Sequence, residues 1–399
     1  MSGVLQGVSL GFALAALPGA VELALLTLAA LAPRRGVKGH AANGSGEAID
    51  APRRLAIVVP AHNEEAGIAD CVASLRAAAA PACEVDLVVV ADNCTDGTAE
   101  RARAAGARVL ERTDTTRRGK GYALGLGFED VLKRGVDAVL IIDADSRVSA
   151  NLLLAVHGAF STGAQAVQAR YDASEEPDAP AGRRLARLAF LGFNGIRPRG
   201  RSRLGLSAGL FGNGFALRRD VLAARSFGAL SIVEDLEYHL ELVERGVCVE
   251  FLEDARVEAP LPTTARGTHT QRTRWEGGRL RMAATRLPGL LPKVLRHPRL
   301  IEPVLDLMLL PLGLHVLLVL PALVFGPALG RGIAAGFLAV LAVHVLFAWV
   351  LGGARRRDLW ALAAAPIYVL GKLARMPATL ATARGGATWR RTERDQENP

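Results

Sequence analysis

The chain has 399 residues, 50% of them hydrophobic, 22% charged and 5% aromatic, which excludes disorder and a disulfide scaffold and leaves room for two or three units of roughly 100 to 200 residues. A net charge of +9 could suit nucleic acid, but only five of the 48 basic residues are lysine, the cations are spread along the chain and no nucleic-acid motif appears. The mean hydropathy of +0.24 points to a membrane partner instead.

Residues 4–32 carry one acid, Glu22, and no basic residue, a run longer than the ~20 apolar residues that cross a bilayer. A cleaved leader would start with cations, whereas Arg34, Arg35 and Lys38 follow the run, so residues 1–33 read as a membrane helix whose downstream side is cytoplasmic. From Arg53 to Pro260, short Val/Ile/Leu runs alternate with Ala-rich stretches, the pattern of a mainly parallel α/β sheet. Residues 55–59, 87–90 and 138–142 read as strands buried on both faces, and 65–79, 98–105 and 122–134 as helices between them. Residues 280–303 interleave Arg281, Arg286, Lys293, Arg296 and Arg299 with Leu and Pro, which suits short amphipathic helices on anionic headgroups.

Two further apolar stretches, 305–329 and 333–351, read as a transmembrane hairpin over 304–352, with Arg355, Arg356 and Arg357 at its exit. The last one, 359–373, is interrupted by Pro366 and Lys372 and followed by Arg375, Arg384, Arg390, Arg391 and Arg394. Residues 353–399 therefore read as an interfacial or re-entrant segment with a basic cytoplasmic tail. Glu22, His315 and His344 mark either a polar path or, more simply, polar groups facing a neighbouring helix. The four cysteines, Cys71, Cys83, Cys94 and Cys248, show no CxxC pair and read as reduced thiols.

In such sheets ligands collect beyond the carboxyl ends of the strands, and all three predicted strands end in polar residues. The first runs into Pro60, Ala61, His62, Asn63 and Glu64, the second into Asp92, Asn93, Cys94, Thr95 and Asp96, the third into Asp143, Ala144 and Asp145. One acidic strand end is an ordinary turn or cap; three in succession are not. On an extended backbone Asp143 and Asp145 share one side, and two converging carboxylates call for a hard cation such as Mg2+ or Mn2+.

Arg117, Arg118, Gly119 and Lys120 place cations at a helix start, where a phosphate is favoured, although the sequence is not a P-loop. Residues 207–215 hold a glycine-loosened stretch with Gly212 and Asn213. Glu234 and Asp235 open a helix, and Gln271, Arg274 and Trp275 offer a stacking plate beside a phosphate clamp.

Taken in order, these motifs resemble the family 2 glycosyltransferases, which use nucleotide sugars on a GT-A fold, over roughly residues 53–279. The Glu234-Asp235 pair and Gln271-x-x-Arg274-Trp275 are similar to those of membrane polysaccharide synthases that make cellulose, chitin, hyaluronan or poly-N-acetylglucosamine. The resemblance implies a Rossmann-like mixed sheet with helices on both faces plus flanking transmembrane helices. It implies that Pro60, Ala61, Asn63 and Glu64 line the nucleotide pocket, that Asp92 binds the base, usually uracil, and that Lys120 lies near the donor.

By the same resemblance, Asp143 supports ribose or diphosphate and shares the metal with Asp145, and Asp235, beside Glu234, is the general base. Gln271, Arg274 and Trp275, with Gly212 and Asn213, serve acceptor and diphosphate. The family often has two acids at the base-binding turn; here Ala91 precedes Asp92. The implied activity is metal-dependent inverting transfer from a nucleotide sugar to a glycan or lipid-linked acceptor, by a multi-pass protein of the plasma (inner) membrane with its catalytic domain in the cytoplasm. A synthase or export subunit is a further expected partner.

Overall fold

The computed structural model describes residues 2–33, 50–79, 82–224, 233–352 and 355–384. Arg34, Arg35, Lys38, Arg390, Arg391 and Arg394, on which the expected orientation partly rests, lie outside the described residues. The chain divides into two compact units. One comprises Arg34–Glu175 and Ser207–Pro260; the other comprises Met1–Pro33, Glu176–Leu206 and Leu261–Pro399. The continuous domain drawn from sequence over 53–279 thus differs from these units, because 176–206 and everything after Pro260 group with the N-terminal helix.

The first unit is built on β1 (Arg54–Ala61), β2 (Glu84–Asp92), β3 (Arg108–Arg112), β4 (Ala138–Ile141), β5 (Arg147–Val148), β6 (Ala166–Ala173), β7 (Phe215–Arg218) and β8 (Val249–Ala259). They form one sheet in the order β3-β2-β1-β4-β7-β6-β8-β5. The four strands at the β3 end are parallel, but β7 runs antiparallel to both β4 and β6, and β5 antiparallel to β8, so the sheet is mixed.

The period of two along each strand explains the two-sided core. On β1, Leu55, Ile57 and Val59 enter one apolar cluster while Ala56 and Val58 enter the other. On β4, Ala138 and Leu140 go to the first and Val139 and Ile141 to the second. Helices Ile68–Ala77, Thr98–Ala104 and Lys120–Lys133 cross between the early strands. The first starts three residues later than its pattern suggested, because the Gly67 and Ile68 amides turn back onto the Glu64 carbonyl. Helix Lys120–Lys133 lies close on the sheet: a Cβ on Gly127 would stand 2.6 Å from Val58 Cγ1. Since β1 has β2 on one side and β4 on the other, the chain reverses direction across the sheet there, and in such sheets the ligand crevice lies beyond the carboxyl ends of those strands.

The second unit is helical. Ser2–Ala30 and Ala328–Leu351 contain helices long and apolar enough to cross a membrane. The stretch expected as a single span over 305–329 is instead broken. Pro298–Met308 and Leu312–Phe325 meet at 76° around Pro311, which lacks an amide hydrogen and drives the residue before it out of the helical region. A second bent pair, Arg356–Gly371 and Leu373–Arg384, turns by 54°; with each bent pair counted as one span the described residues hold up to four.

Residues 280–294, expected as short amphipathic pieces, belong to one long helix, Ala265–Val294. The amphipathic helix Ala181–Leu191 runs through a π-helical turn, Gly192–Ile196, into Arg197–Leu204.

Glu22 is not part of an open polar path. It accepts from Arg197 at 2.8 Å, and Arg197, Arg201 and Arg279 together meet Glu22, Glu302 and Asp306 in a buried network with three charges of each sign. His344 shares a hydrogen bond with Thr27 at 2.8 Å, and His315 donates through Nε2 to the Ala16 carbonyl at 3.0 Å, so both join neighbouring helices.

Candidate active site

The crevice is built from strand ends. β1 continues past its predicted end through Pro60 and Ala61, paired with Val90 and Ala91. The Ala61 side chain is buried in the core, so only its backbone faces the crevice side. Beyond it, Asn63 adopts φ 54° and Asn93 φ 52°, the left-handed region that asparagine tolerates because its short amide bonds locally. Asn63 Oδ1 accepts the Thr95 amide at 2.7 Å, and Asn93 Oδ1 accepts the Asp114 amide at 2.8 Å. His62 donates through Nδ1 to the Asp92 carbonyl at 2.6 Å, and the Glu64 amide donates to Thr98 Oγ1 at 2.8 Å. The ends of β1 and β2 are thereby tied into one rigid lip.

Asp92 is buried at the end of β2 and its Oδ1 is engaged by Arg112 at 2.6 Å and by Asn93 at 3.0 Å. Arg112 faces it in register on β3, also binds Asp114, and lies 5.5 Å from the centre of the Tyr122 ring. Nothing local in the sequence marks Arg112, because only the β2–β3 pairing sets it opposite Asp92.

Asp143 and Asp145 follow β4, but in a turn rather than on extended backbone: the Ser146 amide donates to the Asp143 carbonyl at 3.1 Å. Ala144 and Ser146 are buried while both aspartates are half-exposed, so the turn still presents two carboxylates outward. Lys120, the first residue of its helix, ion-pairs with Asp143 Oδ1 and donates to the Gly212 carbonyl at 2.6 Å. Gly212 has φ 73°, and a Cβ there would lie 3.3 Å from Asp235 Oδ2 and 3.8 Å from Lys120 Nζ. A glycine is required both for that backbone and for that approach.

Asp235 lies in the first turn of helix Glu234–Glu244, next to half-exposed Glu234, and its Oδ1 accepts the Leu236 amide at 2.8 Å. One oxygen is thus held by the adjacent amide while the other faces the glycine loop. Burial pushes its pKa up, opposed by the Leu236 amide and by Lys120, with Asp143 adding to the upward push. Lys120 is half-buried, and its loss of hydration works against its charge, but Asp143, then Glu234 and Asp235, outweigh that and raise its pKa.

The structure gives Asn213 a different place from the one expected. It has no exposed surface and both ends of its amide are bonded within the protein, to the Asp143 amide and to Ser146 Oγ. Gln271, Arg274 and Trp275 belong to the helical unit, on Ala265–Val294, where spacing of three and four residues gives them one face. Trp275 is 38% exposed and its ring lies 6.3 Å from that of Phe190.

The donor set Asp143 and Asp145 fits a hard divalent ion: two oxygen ligands on one turn, presented outward from a buried frame. The cluster Glu22, Glu302 and Asp306 brings three carboxylates within 4.8 Å of one another, but Arg197, Arg201 and Arg279 already neutralise it, so it does not call for an ion.

A model of the family described as glycosyltransferase like family 2 matches residues 52–278, more than half of the chain. The chain belongs to glycosyltransferase family 2. This family 2 chain is 43% identical, over 91 residues, to the low-salt glycan biosynthesis hexosyltransferase Agl6 of Haloferax volcanii; the match spans 23% of the chain and only 21% of that relative's length. It also superposes on the mannosyltransferase PcManGT from Pyrobaculum calidifontis, solved in complex with GDP-Man and Mn2+. That match covers 95% of this chain and 97% of the other, at a TM-score of 0.57 and 18% identity, and shows a shared fold.

Glucosyl-3-phosphoglycerate synthase from Mycobacterium tuberculosis, solved with Mg2+ and uridine-diphosphate, is 22% identical over 57% of this chain and 79% of that one. The TM-score is 0.38. The family 2 fold is the expected GT-A mixed sheet, accompanied by apolar helices.

Proposed function

We propose that the protein is a membrane-anchored inverting glycosyltransferase that moves a sugar from a nucleotide sugar, UDP-linked in the leading version, to a growing polysaccharide or a lipid-linked glycan at the cytoplasmic face of the plasma membrane. One observation carries the reading: Asp143, Lys120, the Gly212 carbonyl and Asp235 converge beyond the carboxyl end of β4.

A sugar hydroxyl releases its proton poorly near neutral pH. Asp235 accepts that proton as the acceptor oxygen bonds to the anomeric carbon, an assistance worth ~10²–10⁴ in rate. The bond from that carbon to the diphosphate breaks on the opposite face, and the nucleoside diphosphate leaves with the electron pair. A single displacement inverts the anomeric centre and needs no second catalytic carboxylate.

Asp92 and the Asn63–Glu64 lip hold the nucleoside, and Lys120 sets a positive charge beside the diphosphate. A divalent ion held by Asp143 and Asp145 supplies further charge neutralisation when bound. Gln271, Arg274 and Trp275 keep the acceptor and diphosphate roles that the motif resemblance assigns them, and the similarity to polysaccharide synthases rests on that motif.

The test is Asp235→Asn in the detergent-purified full chain, assayed for sugar transfer and for nucleotide binding. Transfer should be lost with nucleotide affinity kept; full transfer by the variant contradicts the role. A second version, addition of one sugar to a glycolipid, is favoured by the small number of spans, since the two to four apolar spans among the described residues make a poor conduit for polymer. Product size separates the two. Tight nucleotide-sugar binding with no turnover would identify a catalytically silent subunit of a synthase complex.

A further inference from the structure

Two primary amides are sealed inside the sheet unit behind the acidic turn. Gln168, in the middle of β6, and Asn213, two residues before β7, have no exposed surface. A buried amide is costly unless its polar atoms are bonded, and here they are. Asn213 Oδ1 accepts the Asp143 amide at 3.0 Å, and its Nδ2 donates to Ser146 Oγ at 2.8 Å. The Ser146 hydroxyl in turn donates to Asp145 Oδ1 at 3.4 Å.

Gln168 fixes Asn213 from behind. Its Nε2 donates to the carbonyls of Asn213 and Ala169, each at 2.8 Å, and its Oε1 accepts the Phe211 amide at 3.0 Å. Strand β6, the glycine loop and the Asp143–Ser146 turn are thus one hydrogen-bonded piece, closed from the other side by Lys120 bridging Asp143 and the Gly212 carbonyl.

We propose that Asn213 and Gln168 are positioning residues that hold the Asp143–Ser146 turn in the shape that lets both carboxylates serve one divalent ion on the diphosphate. The proposal rests on the reading that Asp143 and Asp145 hold that ion. Two carboxylates on a short turn repel each other, and within the turn the Ser146 amide donates to the Asp143 carbonyl. Asn213 adds to that restraint by tethering the backbone of the first aspartate and, through Ser146, the carboxylate of the second. Neither amide touches the ion, so their loss acts on metal affinity through the turn and leaves the base contact at Asp92 alone. Groups that orient metal ligands in this way typically account for 10- to 100-fold in affinity.

The experiment measures Mn2+ binding by electron paramagnetic resonance, and UDP and GDP affinity by calorimetry with Mn2+ or with EDTA, on the full chain in detergent. Asn213→Ala should weaken Mn2+-dependent nucleotide binding by roughly tenfold or more, with affinity in EDTA unchanged. Gln168→Leu should move the same way by less.

Parent-like Mn2+-nucleotide affinity in both Asn213→Ala and Gln168→Leu overturns the proposal, provided the control Asp145→Asn loses it. If Asp145→Asn also binds like the parent, the metal reading itself fails, and the proposal with it. Should Asn213→Ala not fold, Ser146→Ala replaces it: a several-fold loss of Mn2+-dependent affinity supports the tether, and parent-like affinity there and in Gln168→Leu overturns it.

Discussion

In its proposed role as base Asp235 must be ionised to take a proton, and burial holds its pKa above the usual aspartate value. Activity therefore falls as pH drops through the pKa of Asp235. The acidic limb of kcat/KM should lie above the ordinary range near 4 and be missing from any residual activity of Asp235→Asn. A limb at the ordinary value, or one unchanged in the variant, assigns the base elsewhere. Lys120 works against that shift, so Lys120→Met should move the limb to still higher pH and raise KM for the donor; an unmoved limb separates the lysine from the base. At this scale the sequence was partly readable. Asp143 and Asp145 stood out because polar residues followed a continuous apolar strand. Arg112 and Gln168 did not, because their partners come from strand pairing that no local pattern encodes.

Elements placed by a single periodicity were legible within a few residues: β1, β2 and β4 and the helices between them follow from apolar runs and turn residues. The antiparallel insertion of β7 was not legible, since a four-residue strand after a glycine loop has no signature of direction. The break at Pro311 was carried by the proline itself, inside an otherwise apolar run that reads as one span.

Two substitutions test the packing. Gly127→Leu drives a side chain into Val58 and Val90 and should cost ~1–3 kcal/mol or more in chemical unfolding of the sheet unit. Arg197→Met leaves buried Glu22 and Asp306 with less counter-charge, which should cost ~3–5 kcal/mol in thermal stability of the detergent-solubilised chain. Adding Glu22→Leu should recover part of that loss; an unchanged midpoint in Arg197→Met would mean the network carries little stability.

At the scale of the whole molecule, one family 2 sheet unit and one helical unit are threaded by the same chain, which crosses from sheet to helices at Glu175, back at Ser207 and again at Pro260. Hydropathy showed that apolar helices were present; it did not show that 176–206 joins them, because that segment is rich in arginine and buries Arg197, Arg201 and Arg203 only through the fold. The chain should stay with membranes through an alkaline carbonate wash, and its release into the supernatant would argue against spanning helices. The most direct test of the central claim is nucleoside diphosphate release from a panel of UDP- and GDP-sugars by the detergent-purified chain, supplied with membrane lipids and with Mg2+, Mn2+ or EDTA. The account predicts release from one donor, abolished by EDTA and by Asp235→Asn. Release that persists in EDTA or in Asp235→Asn, or no release from any donor, would contradict it.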